Sequence, residues 1–293
     1  MAQRPEFLEF DVNGVTLGAL AWPGLLGTPT VVAIHGLTSN AWSWDPTAHH
    51  LAGGARLVAV DLRGRGRSFT AGGPFGLRQH ADDIAAVIER LGAPTIVSGH
   101  SMGASVALLV AERHPDTIRD LVLVDGGTPL PRGDGDPDTM LERTLGPALE
   151  RLRTVWPDRV SYQAMWASHP AFVEGIGPDL ERNLLADLIE VDDGFRTAVD
   201  ETAVRIDGTD LFGDDEIATL LDRRSEPVTI VRAEFGLTGE PPPLIPTEVR
   251  DRYRNHRWIE APGLNHYTVL ASPAGAELVA NALRQTLSSN SPG

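Results

Sequence analysis

Four short, almost purely apolar runs constrain the fold of this chain more than any other feature of its sequence. They occupy residues 30–34, 57–60, 95–97 and 121–124. Runs without polar alternation are typical of strands that are buried on both faces, as in a parallel sheet. Apolar residues with helical spacing separate them, for example Ile84, Val87, Ile88 and Leu91. This order predicts a doubly wound, mostly parallel α/β sheet.

The alternation of strands and helices is interrupted once, after residue 126. Two amphipathic helical patterns follow, formed by Leu141, Leu145, Leu149, Leu152 and Trp156 and by Leu180, Leu184, Leu185, Leu188 and Ile189. Strand patterns return at residues 228–231 and 257–259, before a last apolar helix. We therefore predict an α/β core built from residues 1–126 and 212–293, with a helical insertion at 127–211.

The missing residue types exclude several kinds of chemistry. The chain has no cysteine, which excludes disulfides, thiolate catalysis and cysteine-ligated metals. It also has no lysine, so it cannot hold pyridoxal phosphate as a Schiff base or bind phosphate with a P-loop lysine. We expect neither a cofactor nor a metal.

Charge and hydropathy limit the possible partners. The net charge of −15 argues against nucleic acid and anionic membranes, because both require a cationic surface. The longest mostly apolar run, 104–111, is far shorter than the roughly 20 residues of a membrane span. No apolar stretch near Met1 precedes a small-residue cleavage site. These features predict a cytoplasmic protein with a small-molecule substrate, and they indicate no particular oligomeric state.

The third apolar run leads into the sequence Gly99-His100-Ser101-Met102-Gly103, which fits the pattern G-x-S-x-G. An apolar helical pattern follows, so the serine stands on a sharp turn between a strand and a helix. This is the context of a nucleophile elbow, which exposes the hydroxyl above the end of the strand. Small residues two positions away on either side are needed because a Cβ there would clash with the strained turn.

With this motif the chain resembles the α/β-hydrolase family over nearly its whole length. His35-Gly36-Leu37 is similar to the oxyanion loop of that family, and Gly263-Leu264-Asn265-His266 to its catalytic-histidine loop. The segment from Asp61 to Ser68 is similar to its D-x-R-G-x-G-x-S turn. The insertion lies where the family has its cap, the segment that covers the active site.

A serine hydroxyl needs a neighbouring base, and His266 is the best candidate. His100 is adjacent to Ser101 on a tight turn and points elsewhere, so we expect it to pack. His35 is expected to order the oxyanion loop by hydrogen bonds. The backbone N–H groups of Leu37 and Met102 are the candidate donors to the developing oxyanion.

The sequence leaves open which acid orients the histidine. Most family members have an aspartate after the strand that follows the cap, but Gly236 stands at that place here. Other members have it at the end of the strand that precedes the cap, where this chain has Asp125. Glu234 is the alternative acid, and Glu240 is a weaker candidate.

Aromatic and sulfur-containing side chains are the candidates for a substrate pocket under the cap, namely Trp42, Trp156, Met165 and Trp166. No basic group for a carboxylate or phosphate is evident. Arg63, Arg65 and Arg67 are expected to form a solvated turn with one structural arginine, and Asp61 to fix that turn.

These features favour hydrolysis of a carboxylic ester or lactone of a medium-sized, largely apolar molecule through an acyl-serine intermediate. Haloalkane dehalogenases and epoxide hydrolases resemble this fold but use an aspartate where this chain has Ser101. Carbon–carbon bond hydrolysis of ring-fission products is an alternative with the same serine. A ligand-binding protein with low turnover is a second alternative, favoured by the missing aspartate at Gly236. Lyase or cofactor-free oxygenase chemistry would also retain Ser101 and His266.

Overall fold

The computed structural model describes residues 4–92, 94–130 and 135–289. The strands are β1 Glu6–Val12, β2 Val15–Trp22, β3 Thr30–Ile34, β4 Arg56–Val60, β5 Thr95–His100, β6 Ile118–Val124, β7 Leu188–Val191, β8 Gly194–Thr197, β9 Thr229–Phe235 and β10 Arg257–Asn265. The helices are α1 Asp45–Leu51, α2 Leu77–Leu91, α3 Met102–Arg113, α4 Pro137–Arg153, α5 Arg159–Ala167, α6 Pro178–Leu185, α7 Glu201–Gly213, α8 Asp215–Ala218, α9 Leu220–Arg223, α10 Thr247–Arg252, α11 Thr268–Ala271 and α12 Pro273–Ser289.

Eight of these strands form one sheet in the order β1-β2-β4-β3-β5-β6-β9-β10. Within this sheet, β4, β3, β5, β6, β9 and β10 pair in parallel with one another. Strand β2 pairs antiparallel with both of its neighbours. The predicted doubly wound, mostly parallel α/β sheet is therefore confirmed. At the edge of the sheet, β1 and β2 are joined by Asn13 and Gly14, both with positive φ (45° and 80°), as a two-residue hairpin turn requires.

Helices cover both faces of the sheet. Helices α2 and α3 bury apolar side chains such as Ile84 and Val106 on one face. Helices α1 and α12 bury Leu51 and Leu283 on the other face. The parallel strands are buried on both sides, which explains their almost unbroken apolar sequences.

The insertion between β6 and β9 is mostly helical, but it also contains a hairpin of β7 and β8. The predicted second helical pattern is therefore wrong at its end, because Leu188 and Ile189 lie in β7 rather than in a helix. Asp192-Asp193 follows directly, and Gly194, the first residue of β8, has a φ of 141°, so the chain turns back into β8. The predicted boundary at residue 211 falls inside α7, and the division into core and cap stays a prediction.

Two of the three arginines in the turn after β4 are buried and only Arg67 is exposed, which contradicts the expected solvated turn with one structural arginine. Arg63 and Arg65 are 1% and 0% exposed, and each pairs with a buried aspartate. Arg65 contacts Asp207 of α7 at 2.6 Å, so the turn holds the inserted helices against the core. Asp61 fixes the turn as expected, because its carboxylate accepts hydrogen bonds from the backbone N–H of Ala41 and Arg67.

Within the described residues, every helix is too short or too polar to cross a membrane.

Candidate active site

Ser101 lies on a sharp turn between β5 and α3, with a φ of 56° and a ψ of −123°. This left-handed φ is strained for a residue with a side chain. A Cβ on Gly99 would clash with the backbone of Gly103, and a Cβ on Gly103 would lie 2.6 Å from the carbonyl oxygen of His35. The two glycines therefore allow strand, turn and helix to pack this closely, as the G-x-S-x-G pattern predicts.

His266 follows β10 and directs Nε2 to Ser101, with 3.1 Å between Nε2 and Oγ. The loop that carries it is fixed by Asn265, whose Oδ1 accepts hydrogen bonds from the backbone N–H of Tyr267 and Thr268. Nδ2 of Asn265 donates to the carbonyl oxygen of Ala171 in the insertion. The position of the imidazole is thus linked to the insertion between β6 and β9 as well as to its own loop.

Asp125 completes the hydrogen-bonded chain. Its Oδ2 lies 2.7 Å from Nδ1 of His266, and its Oδ1 accepts a hydrogen bond of 3.0 Å from the backbone N–H of Ala233. The residue is fully buried and has a φ of 44°. A carboxylate at Nδ1 keeps the proton on that nitrogen, which leaves Nε2 free to accept the proton of the Ser101 hydroxyl.

The alternative acids lie elsewhere. Glu234 is exposed, and its carboxylate accepts a hydrogen bond of 2.6 Å from the backbone N–H of Gly263. The side chain of Glu240 is also exposed, and its carbonyl oxygen accepts from the backbone N–H of Gly236. Of the acids considered, the structure therefore brings Asp125 alone into hydrogen-bond contact with His266.

The loop after β3 approaches the serine closely. A Cβ on Gly36 would lie 3.2 Å from Cβ of Ser101. Nδ1 of His35 donates to the carbonyl oxygen of Gly36 at 2.8 Å, which fixes the peptide plane that also contains the N–H of Leu37. The carbonyl oxygen of Leu37 accepts from Nε and Nη2 of Arg65. Leu37 and Met102 both line the cavity at Ser101, and their role as oxyanion donors stays a proposal.

The other two histidines near the serine are hydrogen-bonded to backbone groups. Burial lowers the pKa of His35 to about 3, and its Nε2 accepts a hydrogen bond from the backbone N–H of Leu62. Burial also lowers the pKa of His100 well below its usual value, and its Nε2 donates to the carbonyl oxygen of His266 at 2.9 Å. Both side chains are held neutral by their surroundings, which suits the packing and ordering roles that the sequence predicts.

The cavity above Ser101 is walled mainly by apolar side chains of the insertion and of the loops after β9 and β10. They include Leu130, Leu145, Trp166, Phe172, Leu180, Leu184, Leu211, Phe212, Leu237, Leu244 and Leu270. Trp166 is the one predicted pocket residue among the lining residues of this cavity. Trp156 and Met165 line an adjoining cavity instead.

The structure does not bring Trp42 to either of these cavities, contrary to the prediction. Its ring packs edge-on against Phe7 and Trp22 of the edge strands, with both pairs of centroids 6.5 Å apart. The prediction relied on the position of Trp42 shortly after the oxyanion loop in the sequence. The 3₁₀ turn at 41–44 instead directs this side chain to the edge of the sheet.

Several polar residues of the cavity were missed by sequence reasoning. Arg151 of α4 and Asp187, which follows α6, both line the cavity and are 8% and 6% exposed. Burial raises the pKa of Asp187 to about 6, and its carboxylate accepts hydrogen bonds from Asn40 and Tyr162. No motif marks these residues, because arginine and aspartate on an amphipathic insertion are ordinarily solvated.

No group of three or more histidine, aspartate or glutamate side chains in the described part of the chain has the arrangement of a metal site.

Fold and site together define a hydrolase architecture, and comparison with known proteins agrees. A family model for the alpha/beta hydrolase fold matches residues 29–172. The crystal structure of E-2-(acetamidomethylene)succinate hydrolase superposes with a TM-score of 0.80 at 22% identity, covering 97% of this chain and 99% of that one. The chain has the α/β-hydrolase fold, and residues 29–172 match the model of that family.

Two curated relatives have higher identity over shorter stretches. Lipase LipV of Mycobacterium tuberculosis is 38% identical over 103 residues, which are 35% of this chain and 39% of the lipase. A pimeloyl-[acyl-carrier protein] methyl ester esterase of Neisseria meningitidis is 31% identical over 157 residues, or 52% of this chain and 49% of the esterase. The aligned segments thus span less than half the length of either relative.

Proposed function

We propose that this protein is a serine hydrolase that cleaves a carboxylic ester or lactone of a medium-sized molecule through an acyl-serine intermediate. The observation that carries the proposal is the chain of hydrogen bonds from Ser101 through His266 to Asp125, with lengths of 3.1 and 2.7 Å. Lipases and methyl ester esterases among the relatives support ester chemistry.

In the first half-reaction, Oγ of Ser101 attacks the ester carbonyl while Nε2 of His266 takes its proton. Asp125 stabilises the imidazolium that results. The oxyanion accepts hydrogen bonds from the backbone N–H groups of Leu37 and Met102, each of which is worth about 100- to 1000-fold in rate in comparable sites. His266 then protonates the leaving alcohol, and the acyl group remains on Ser101.

In the second half-reaction, His266 removes a proton from water, and the hydroxide attacks the acyl-serine. Collapse of the second tetrahedral intermediate returns the proton to Ser101 and releases the acid. Hydrolysis therefore requires a proton acceptor at Ser101 in both steps, and the pairing of His266 with Asp125 supplies it.

The low-turnover alternative rested on the glycine at position 236, where many family members have their acid. Asp125 lies at Nδ1 of His266 instead, so that sequence feature no longer favours a protein without turnover.

The test is intact-mass spectrometry after treatment with a fluorophosphonate probe, together with hydrolysis of p-nitrophenyl butyrate and γ-butyrolactone. We expect one adduct that is absent in Ser101→Ala, and a loss of ester turnover by about 10⁴-fold or more in that variant. Folded wild-type protein that forms no adduct and hydrolyses neither compound would overturn the proposal.

A further inference from the structure

Arg151 is a buried cation that has no direct ion pair with any of the described residues. It lies in the last turn of α4, is 8% exposed, and lines the cavity that contains Ser101. Within the described part of the chain, none of its nitrogen atoms lies at ion-pair distance from a carboxylate, unlike Arg63 and Arg65, which each have one. Buried charges in proteins are ordinarily paired, because an unpaired charge away from water is costly.

The contacts of Arg151 leave most of its donors unused. Nη2 donates to the carbonyl oxygen of Thr38 at 3.5 Å and to its Oγ1 at 3.2 Å, and the guanidinium carbon lies 4.7 Å from the ring centroid of Trp166. Nε is buried and has no hydrogen-bond partner among the described residues. A guanidinium held against an indole, with its fork of donors unfilled, is suited to a planar anion.

The positive charge of Arg151 acts on the carboxylate of Asp187, but both oxygen atoms of this carboxylate accept hydrogen bonds from other residues. Oδ1 accepts from Nδ2 of Asn40 at 3.0 Å, and Oδ2 accepts from the hydroxyl of Tyr162 at 2.9 Å. Burial raises the pKa of Asp187 to about 6, although the nearby charge of Arg151 acts in the opposite direction. The donors of Arg151 therefore remain available in a cavity whose walls are otherwise mainly apolar.

We propose that Arg151 binds a carboxylate of the substrate, so that the molecule cleaved at Ser101 is the ester of an acid with a second, ionised carboxyl group. This inference rests on the proposed function and names its substrate class. It replaces the expected largely apolar molecule by one with an apolar middle and an anionic end.

A second role for Arg151 would be purely structural. Thr38 follows Leu37, so the contact between Arg151 and Thr38 could simply hold the oxyanion loop. A loop-holding residue would affect neutral and anionic esters equally, whereas a carboxylate-binding residue would affect anionic esters alone. The two roles are separated by comparing matched substrates.

The experiment uses ethyl half-esters of succinic, glutaric and adipic acid and the corresponding ethyl esters with a terminal amide, which have nearly the same shape but no charge. For the best chain length, we expect a higher kcat/KM of wild type for the half-ester than for the amide. Arg151→Met should lower kcat/KM for the half-ester by about 100-fold, mainly through KM, since truncating one partner of a buried charged pair has effects of this size. The amide should change by less than about threefold.

Two further variants serve as controls. Arg151→Lys should recover part of the preference, because it retains the charge but not the planar fork. Arg153→Met, on the same helix, removes a half-exposed arginine that pairs with Glu201, and it should leave the ratio of the two substrates unchanged.

Different results would contradict the role of Arg151 and the proposed ester hydrolysis. Equal kcat/KM of wild type for half-esters and amides would overturn the role of Arg151 while leaving ester hydrolysis intact. If neither class is hydrolysed, calorimetric titration of Ser101→Ala with monoethyl glutarate decides. Binding that disappears in Ser101→Ala/Arg151→Met supports the carboxylate site, and equal or absent binding in both proteins refutes it.

Discussion

Oδ2 of Asp125 lies 2.7 Å from Nδ1 of His266, although the two residues are 141 positions apart in the chain. Asp125 follows β6, and Ser101 follows the neighbouring strand β5. The register of the two strands places His100 opposite Val124, so Ser101 and Asp125 leave the sheet at the same level, each with a positive φ. Because neighbouring strands are about 4.8 Å apart, both side chains come within reach of one imidazole.

The close packing of α3 on the sheet depends on Gly103. A Cβ there would meet the carbonyl oxygens of Ile34 and His35, which are backbone atoms that cannot rotate away. Gly103→Ala should therefore lower the free energy of unfolding by about 1–3 kcal/mol and also lower kcat/KM, since the turn at Ser101 moves with the helix. Urea unfolding and ester turnover measure the two effects.

Gly146 is a matched control for this substitution. It lies in α4, and a Cβ added there would have no neighbour within 4 Å beyond the backbone of its own helix. Gly146→Ala should change the free energy of unfolding by less than about 1 kcal/mol, because the gain in helix propensity is opposed by crowding of the new Cβ against Pro147. Equal destabilisation by both substitutions would contradict the packing explanation for Gly103.

His35 should stay neutral through the acid range. Its Nδ1 donates to Gly36 and its Nε2 accepts from Leu62, which requires the Nδ1-protonated tautomer. Burial lowers the pKa of His35 to about 3. An NMR titration of the imidazole nitrogens should show this tautomer unchanged from pH 8 to pH 5, and a titration near pH 6.5 would contradict the hydrogen bonds described.

The same group links stability to pH. The unfolded chain protonates this histidine below about pH 6.5, whereas the folded protein does so only near pH 3. Its contribution to stability is therefore complete above pH 6.5 and is lost as the pH falls from 6.5 towards 3. At pH 5 the loss amounts to about 2 kcal/mol, and His35→Gln should lack this part of the pH dependence.

Asp207 holds the cap-side helix α7 to the buried turn after β4. Its carboxylate contacts Arg65 at 2.6 Å and Nε2 of His80 at 2.9 Å, and all three side chains are fully buried. Asp207→Asn leaves the charge of Arg65 without a partner, so we expect a loss of about 3–5 kcal/mol in the free energy of unfolding.

Asp138 provides the comparison for Asp207. It pairs with Arg205 at 2.7 Å but is 59% exposed. Asp138→Asn should change the free energy of unfolding by less than about 1 kcal/mol. Similar effects of the two substitutions in urea unfolding would contradict the assigned importance of the buried pair.

Local sequence predicted the features that local geometry determines. The elbow at Ser101 follows from glycine spacing between a strand and a helix, and the buried strands follow from their apolar runs. Asp125 was predicted from its place at the end of a strand, with Glu234 left as an alternative. Deciding between them required the folded structure, which places Asp125 at Nδ1 of His266 and leaves Glu234 exposed near the end of β9.

Features set by contacts distant in sequence could not be predicted. The buried state of Arg65 depends on Asp207, which lies in the insertion and approaches only in the folded protein. Arg151 looks like an ordinary helix-end arginine in the sequence, and its unfilled donors are visible only when α4 is placed over the cavity. The strand at Leu188 depends on its hairpin partner β8, which follows the turn at Asp192-Asp193.

The most direct test of the account compares Asp125→Asn with Glu234→Gln in ester hydrolysis, in protein shown by circular dichroism to be folded. Asparagine at position 125 would donate to Nδ1 of His266 and favour the wrong tautomer, so we expect kcat/KM to fall by about 10⁴-fold. Glutamine at the exposed position 234 should leave kcat/KM within about twofold of wild type. An unchanged rate in Asp125→Asn, or the larger loss in Glu234→Gln, would contradict the assignment of Asp125 as the acid that serves His266 and Ser101.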